Sequence, residues 1–219
     1  MKSTAFLERG ASGRPDGLLV LHHGRGSDEV DLIGLADMFD PERRLHVVSP
    51  RAPLQIQGQP GYHWYVVPEV GRPDYESFHA AYEGLAQFHD ELWQRTGLSP
   101  EQTVLGGFSM GSVMSFSMGL GADRPSVAGI LGFSGFIPIV DRWAPDLERH
   151  AETKVLIAHG RLDPVISIGY ARSANELLTT AGLDVKYLES DIGHQIDPAH
   201  IQIAGEWLQA VIAEPARPN

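Results

Sequence analysis

Residues 106–112 read GGFSMGS, directly after the apolar run TVL. Three glycines surround one small hydroxyl side chain. A serine hydroxyl attacks an acyl carbon only when a base takes its proton and the backbone projects it where the carbon can reach. In the pattern G-x-S-x-G the serine stands at the tip of a sharp strand-to-helix turn, and the flanking glycines admit neighbouring backbone. Gly107, Ser109 and Gly111 occupy those places. The pentapeptide alone is equally compatible with a glycine turn in which Ser109 caps a helix; an apolar run before it and a helical SVMSFSMGL after it favour the nucleophile. Ser134, in GFSGF, lacks the glycine at the second following position and is expected to be a loop residue beside the site.

A serine nucleophile needs an imidazole, and the imidazole needs a carboxylate to hold its tautomer and balance its positive charge. With a strand-turn-helix serine, the chain order is serine, acid, histidine. His194, in SDIGHQIDP, follows the run DVKYLES and precedes a helix opening at Asp197, so it is the expected base. His150, His159 and His200 read as structural or solvated. Asp163, in VLIAHGRLDPVI, follows an apolar run and a glycine turn and is the expected acid. Asp191 is the second choice, and Asp197 is better explained as a helix cap. The tetrahedral oxyanion of acyl transfer requires backbone N–H donors. Met110, the residue after the serine, supplies one, and Arg25, between Gly24 and Gly26 in LHHGRGSDE, is the candidate for the other. That loop lacks the third glycine of a dinucleotide-binding turn, and no G-x-x-x-x-G-K-[ST] occurs anywhere, so no cofactor is expected.

These residues must be carried at the ends of strands. Short runs rich in Val, Leu and Ile at 17–23, 44–50, 103–108, 127–134, 154–160 and 184–190 are the strand candidates. Several are apolar almost throughout, as in a mainly parallel sheet covered on both faces. Between them, 75–97 places Phe78, Tyr82, Leu85, Phe88 and Leu92 on one helical stripe closed by Gly97. Residues 110–122, 167–182 and 197–214 are further helices, the last with Asp197 as N-cap. The alternation is that of an α/β fold. Residues 50–73 and 135–150, mixing Pro and Gly with aromatics, are ordered loops that wall a site.

The chain has 219 residues, enough for one α/β domain over 1–219 with a frayed tail from about 213. A formal net charge of −11 disfavours nucleic acid and anionic lipid and suits a small neutral substrate. There is no cysteine, which removes thiolate nucleophiles and thiolate metal sites. No run is apolar and long enough for a membrane span or a signal-peptide core, so a cytoplasmic location is the default; a homodimer is left open.

The segments LHHGRGSDE, GGFSMGS, HGRLDPVI and GHQID together resemble the serine α/β-hydrolases, and among them the compact phospholipase/carboxylesterase branch that includes bacterial carboxylesterases and acyl-protein thioesterases. The resemblance covers nearly the whole chain. It implies an α/β-hydrolase fold without a large cap, acting on carboxylic esters or thioesters through an acyl-serine. Two positions depart from it: Arg25 stands where an uncharged residue is common, and Met110 where glutamine is common. The segment GYHWYVV is similar to the family's aromatic stretch near the site, which makes Trp64 either a wall of the substrate pocket or a core residue. Phe136 and Ile137, with Pro138, are the second expected wall.

The leading expectation is a serine carboxylesterase for short- to medium-chain esters. A thioesterase or lysophospholipase with the same three residues is the alternative. A metal-dependent hydrolase is less favoured because H-E-x-x-H is absent and His22 and His23 are adjacent in a strand, facing opposite ways. A binding module without catalysis on the same fold is the remaining class.

Overall fold

Successive side chains of a strand point to opposite faces, so a run that is apolar throughout needs cover on both. The computed structural model describes residues 4–213 and meets that demand; beyond Ala213, the tail expected from about 213 lies outside the described residues. The strands are β1 (Phe6–Arg9), β2 (Gly17–His22), β3 (Leu45–Pro50), β4 (Leu54–Gln55), β5 (Tyr62–His63), β6 (Thr103–Phe108), β7 (Gly129–Phe133), β8 (Lys154–Gly160) and β9 (Val185–Ser190). The helices are α1 (Val30–Ile33), α2 (Ala36–Phe39), α3 (Tyr75–Thr96), α4 (Met110–Leu120), α5 (Ile168–Thr180) and α6 (Pro198–Ala213).

Seven strands form one sheet in the order β1-β3-β2-β6-β7-β8-β9. All neighbours are parallel except β1, which runs antiparallel to β3 at one edge. Leu18, Val20, Leu105, Ile130 and Val155 face α3, α4 and α5, where Phe78, Leu85, Val113 and Leu178 meet them. Leu19, Leu21, Val104, Leu131 and Leu156 face the other way, against Leu32, Phe39, Ala204 and Leu208 of α1, α2 and α6. The fold is thus the expected three-layer α/β-hydrolase arrangement without a large cap. The long helix α3 begins where the Asp74 side chain accepts from the Ser77 N–H at 2.9 Å and stops at Gly97, whose φ of 69° a side chain would disfavour. Asp197 caps α6 as its position implies, accepting from the Ala199 N–H at 2.9 Å.

Outside the expected set lie edge strand β1, the short hairpin of β4 and β5 inside the 50–73 loop, and the single turns α1 and α2. Among the described residues, no helix is long and apolar enough to cross a membrane.

A buried polar chain runs beneath β2. The Ser115 hydroxyl donates to the Gly111 carbonyl at 3.0 Å, so His22 Nδ1, 2.8 Å from Ser115 Oγ, carries the proton. His22 Nε2 is then the acceptor for the Nε2–H of His89, 3.2 Å away. Burial pushes the His22 imidazole down to about 3, aided by neighbouring His23, and burial likewise holds His89 far below the ordinary histidine range. Both rings therefore stay neutral in the folded protein while they take up protons in the unfolded chain near pH 6.5. The unfolded state binds more protons between those values, so stability falls as pH drops below about 6.5, by about 1.4 kcal/mol per pH unit for each such group. A melting temperature that declines steadily from pH 6.5 to pH 4.5 is the expected result; a level one contradicts the neutral pair.

Candidate active site

The strand-to-helix turn after β6 places Ser109 at φ 54° and ψ −121°, a strained backbone for a residue with a Cβ. The glycines around it are required by space. A Cβ on Gly111 would lie 1.9 Å from the His22 carbonyl oxygen, and one on Gly107 would lie 2.4 Å from the Gly111 carbonyl carbon. The turn is held from the next strand by the Ser109 N–H, which donates to Phe133 O at 2.9 Å.

The loop after β8 carries Asp163 and the loop after β9 carries His194. Their close approach depends on Gly160, where a Cβ would lie 2.3 Å from the Ile192 carbonyl oxygen. Across this contact the Arg161 and Leu162 N–H groups donate to Ser190 O and Ile192 O at 2.8 and 3.1 Å. The result is a continuous hydrogen-bonded line: Ser109 Oγ is 2.9 Å from His194 Nε2, and His194 Nδ1 is 2.7 Å from Asp163 Oδ2. A carboxylate only accepts, so the proton of the neutral ring sits on Nδ1 and Nε2 is free to take the serine proton. Phe108 packs against the imidazole with ring centroids 4.9 Å apart.

Asp163 Oδ1 accepts from the Val165 and Ile166 N–H groups, both at 2.8 Å. Burial would raise the Asp163 carboxyl, but the His194 hydrogen bond and those two backbone donors outweigh it and hold the group below the usual carboxylate range. It stays ionised through the neutral range.

Ser109 and His194 open onto a cavity of about 530 Å³. Tyr65, Val66, Val67, Val70, Phe136, Val165 and Ile166 supply its apolar lining, and Arg25, His63, Glu69 and Met110 its remaining wall. Met110 begins α4, where the first N–H groups have no acceptor within the helix. Arg25 lies in the loop after β2, which packs on β5: Gly26 donates to Tyr62 O and Tyr62 donates to Ser27 O, both at 2.8 Å. Arg25, Met110, Ser109, Asp163, His194 and Phe136 are therefore gathered around one site.

Two expected wall residues are elsewhere. Trp64 is 2% exposed and sits behind the cavity, not on it. The indole N–H donates to the His23 carbonyl at 2.9 Å, and its backbone N–H donates to Met110 Sδ at 3.2 Å. A large ring that can satisfy a buried carbonyl is drawn inward; the wall beside it comes from His63, Val66 and Val67, with Tyr65, itself 2% exposed, behind them. Ile137 packs against the core instead, leaving Phe136 alone from that loop on the cavity. Sequence reasoning passed over Tyr65 and the stretch Val66–Val70; the apolar pairs in YHWYVVPEV were the available signal. Trp64 thus ties the loop bearing Arg25 to the residue after Ser109. Trp64→Phe keeps the ring but strands the His23 carbonyl, and we expect kcat to fall about tenfold through a displaced Arg25 N–H. Steady-state kinetics beside a melting curve check this; a lower melting temperature with unchanged kcat contradicts it.

The alternatives considered from sequence lie outside the line from Ser109 through His194 to Asp163. Ser134 is buried, its N–H donating to Ala158 O at 2.9 Å. Asp191 pairs with Arg161 at 2.7 Å on the surface. His150 bonds Gly121 O at 3.0 Å, and His23 accepts from the Ala52 N–H at 3.0 Å.

The phospholipase/carboxylesterase family model matches residues 9–212. The esterase YpfH of Escherichia coli is 29% identical over 97% of this chain and 90% of its own length. Acyl-protein thioesterase 1 of Aspergillus fumigatus is 26% identical over 89% of this chain and 87% of its own. Among solved structures, the esterase PE8 superposes with a TM-score of 0.79 at 29% identity, covering 96% of this chain and all of that one (100%).

Proposed function

The chain belongs to the phospholipase/carboxylesterase family of ester hydrolases, and from that premise we propose that it is a serine carboxylesterase for short- to medium-chain carboxylic esters. The observation that carries the reading is the line from Ser109 through His194 to Asp163, with spacings of 2.9 and 2.7 Å, at an apolar cavity.

In this reading His194 Nε2 takes the Ser109 proton as Oγ attacks the ester carbonyl, and Asp163 balances the imidazolium. The oxyanion forms against the backbone N–H groups of Arg25 and Met110, each worth about 3 kcal/mol of barrier. The leaving alcohol takes the proton from Nε2, which leaves acyl-Ser109. Water, activated by the same nitrogen, attacks the acyl carbon, and collapse of the second tetrahedral intermediate releases the acid and restores the serine. Because the oxyanion donors are main-chain groups, the departures at Arg25 and Met110 leave this chemistry intact and bear on substrate choice.

The test is hydrolysis of a p-nitrophenyl ester series from acetate to palmitate. A maximum of kcat/KM at butyrate to octanoate supports the carboxylesterase reading. A steady rise to palmitate overturns the chain-length assignment in favour of a thioesterase or lysophospholipase with the same three residues.

A further inference from the structure

His159, the last but one residue of β8, is buried and stands outside the Ser109–His194–Asp163 line. Its Nε2 lies 2.8 Å from the Ile166 carbonyl oxygen and 3.3 Å from Asp163 Oδ2, the oxygen that His194 engages. A carbonyl only accepts, so Nε2 carries the proton and its positive edge faces both oxygens. Nδ1 is then a lone-pair nitrogen, and it is buried without a partner. An unpaired buried acceptor is a penalty that an aromatic hydrocarbon of similar size would avoid, so packing alone does not account for an imidazole here.

Ile166 is also the residue whose N–H, with that of Val165, binds Asp163 Oδ1. The turn from Asp163 to Ile166 thus grips the carboxylate from one side while His159 grips the turn from the other. We propose that His159 is a positioning residue for the reaction: its Nε2–H fixes the Ile166 carbonyl and turns the positive end of that N–H dipole toward Asp163 Oδ2, so that the carboxylate meets His194 Nδ1 in one orientation. The inference rests on Ser109, His194 and Asp163 being the reacting groups.

The test compares His159→Phe, which keeps a ring and loses the N–H, with His159→Gln, whose amide N–H reaches the same two oxygens at the cost of packing. The expected result for His159→Phe is a loss of kcat of about 10- to 100-fold with KM little changed, as follows from a slightly misplaced catalytic group. His159→Gln recovers most of kcat, and the downfield proton resonance of His194 Nδ1–H, present in the wild type and in His159→Gln, is lost in His159→Phe. A packing role reverses the order of the two variants. Wild-type kcat in His159→Phe, or equal losses in both variants with the resonance intact, overturns the proposal. Should His159→Phe fail to fold, a His159→Gln variant with less than a tenth of wild-type kcat does the same. Ser109→Ala is run alongside: full activity there defeats the serine reading itself, whereas an inactive Ser109→Ala with an unaffected His159→Phe defeats only the role of His159.

Discussion

Ser109→Ala lowers kcat by about a millionfold, leaving only what the oxyanion donors and substrate binding provide. The hydroxyl is the one group in the site that can form an acyl bond while 2.9 Å from a ring nitrogen able to take its proton. Folding should survive, because the Ser109 side chain makes no capping bond at the start of α4. A companion variant separates chemistry from strain. Ser109→Gly is equally inactive, yet it relieves the positive φ of 54° and should be more stable than the wild type by about 1 kcal/mol. Kinetics with a p-nitrophenyl ester and denaturant melts of both variants read the two effects. Activity in either within tenfold of the wild type contradicts the assignment of Ser109 as nucleophile.

The second large effect is expected at Asp163. In Asp163→Asn the amide has one carbonyl oxygen and one NH₂, and the Val165 and Ile166 N–H groups, each 2.8 Å from Oδ1, claim the oxygen. The NH₂ then faces His194 Nδ1, which becomes an acceptor. The ring proton moves to Nε2, and Nε2 can no longer accept from Ser109. A loss of kcat of about ten-thousandfold with an unchanged KM is the expected outcome. The depressed Asp163 carboxyl makes a further statement about pH. An acid whose folded-state value is lowered keeps its stabilising charge above its ordinary range and loses it only as pH falls through the lowered value. The acid limb of the activity profile therefore does not come from Asp163. Asp163→Asn with kcat within tenfold of the wild type contradicts the arrangement.

Much of this was legible because chemistry and fold leave coincident marks. Ser109 and Asp163 each follow an apolar run, and apolar runs are what a doubly covered parallel sheet writes into a sequence, while His194 follows the alternating edge strand β9. The six long strands and four long helices were readable for the same reason. Strand β1 was not: FLER is four residues at an edge, half exposed, with no turn residue immediately before it. Helices α1 and α2, four residues each, are too short for a 3.6-residue period to show. The walls of the cavity were legible as loops but not residue by residue. Which residues of that stretch reach the cavity depends on where its rings find buried partners, and for Trp64 the partner, the His23 carbonyl, is distant in sequence. His159 read as structural for a similar reason: its two oxygen partners come from the turn that follows, and only the folded turn brings them to its Nε2.

The most direct test of the central claim is incubation of the protein with a fluorophosphonate, followed by intact and peptide mass spectrometry and an assay of residual esterase activity. The account predicts one adduct per chain, on the peptide containing Ser109, with activity lost in proportion to labelling and no adduct in Ser109→Ala. No adduct on Ser109, or full labelling with undiminished turnover, contradicts it.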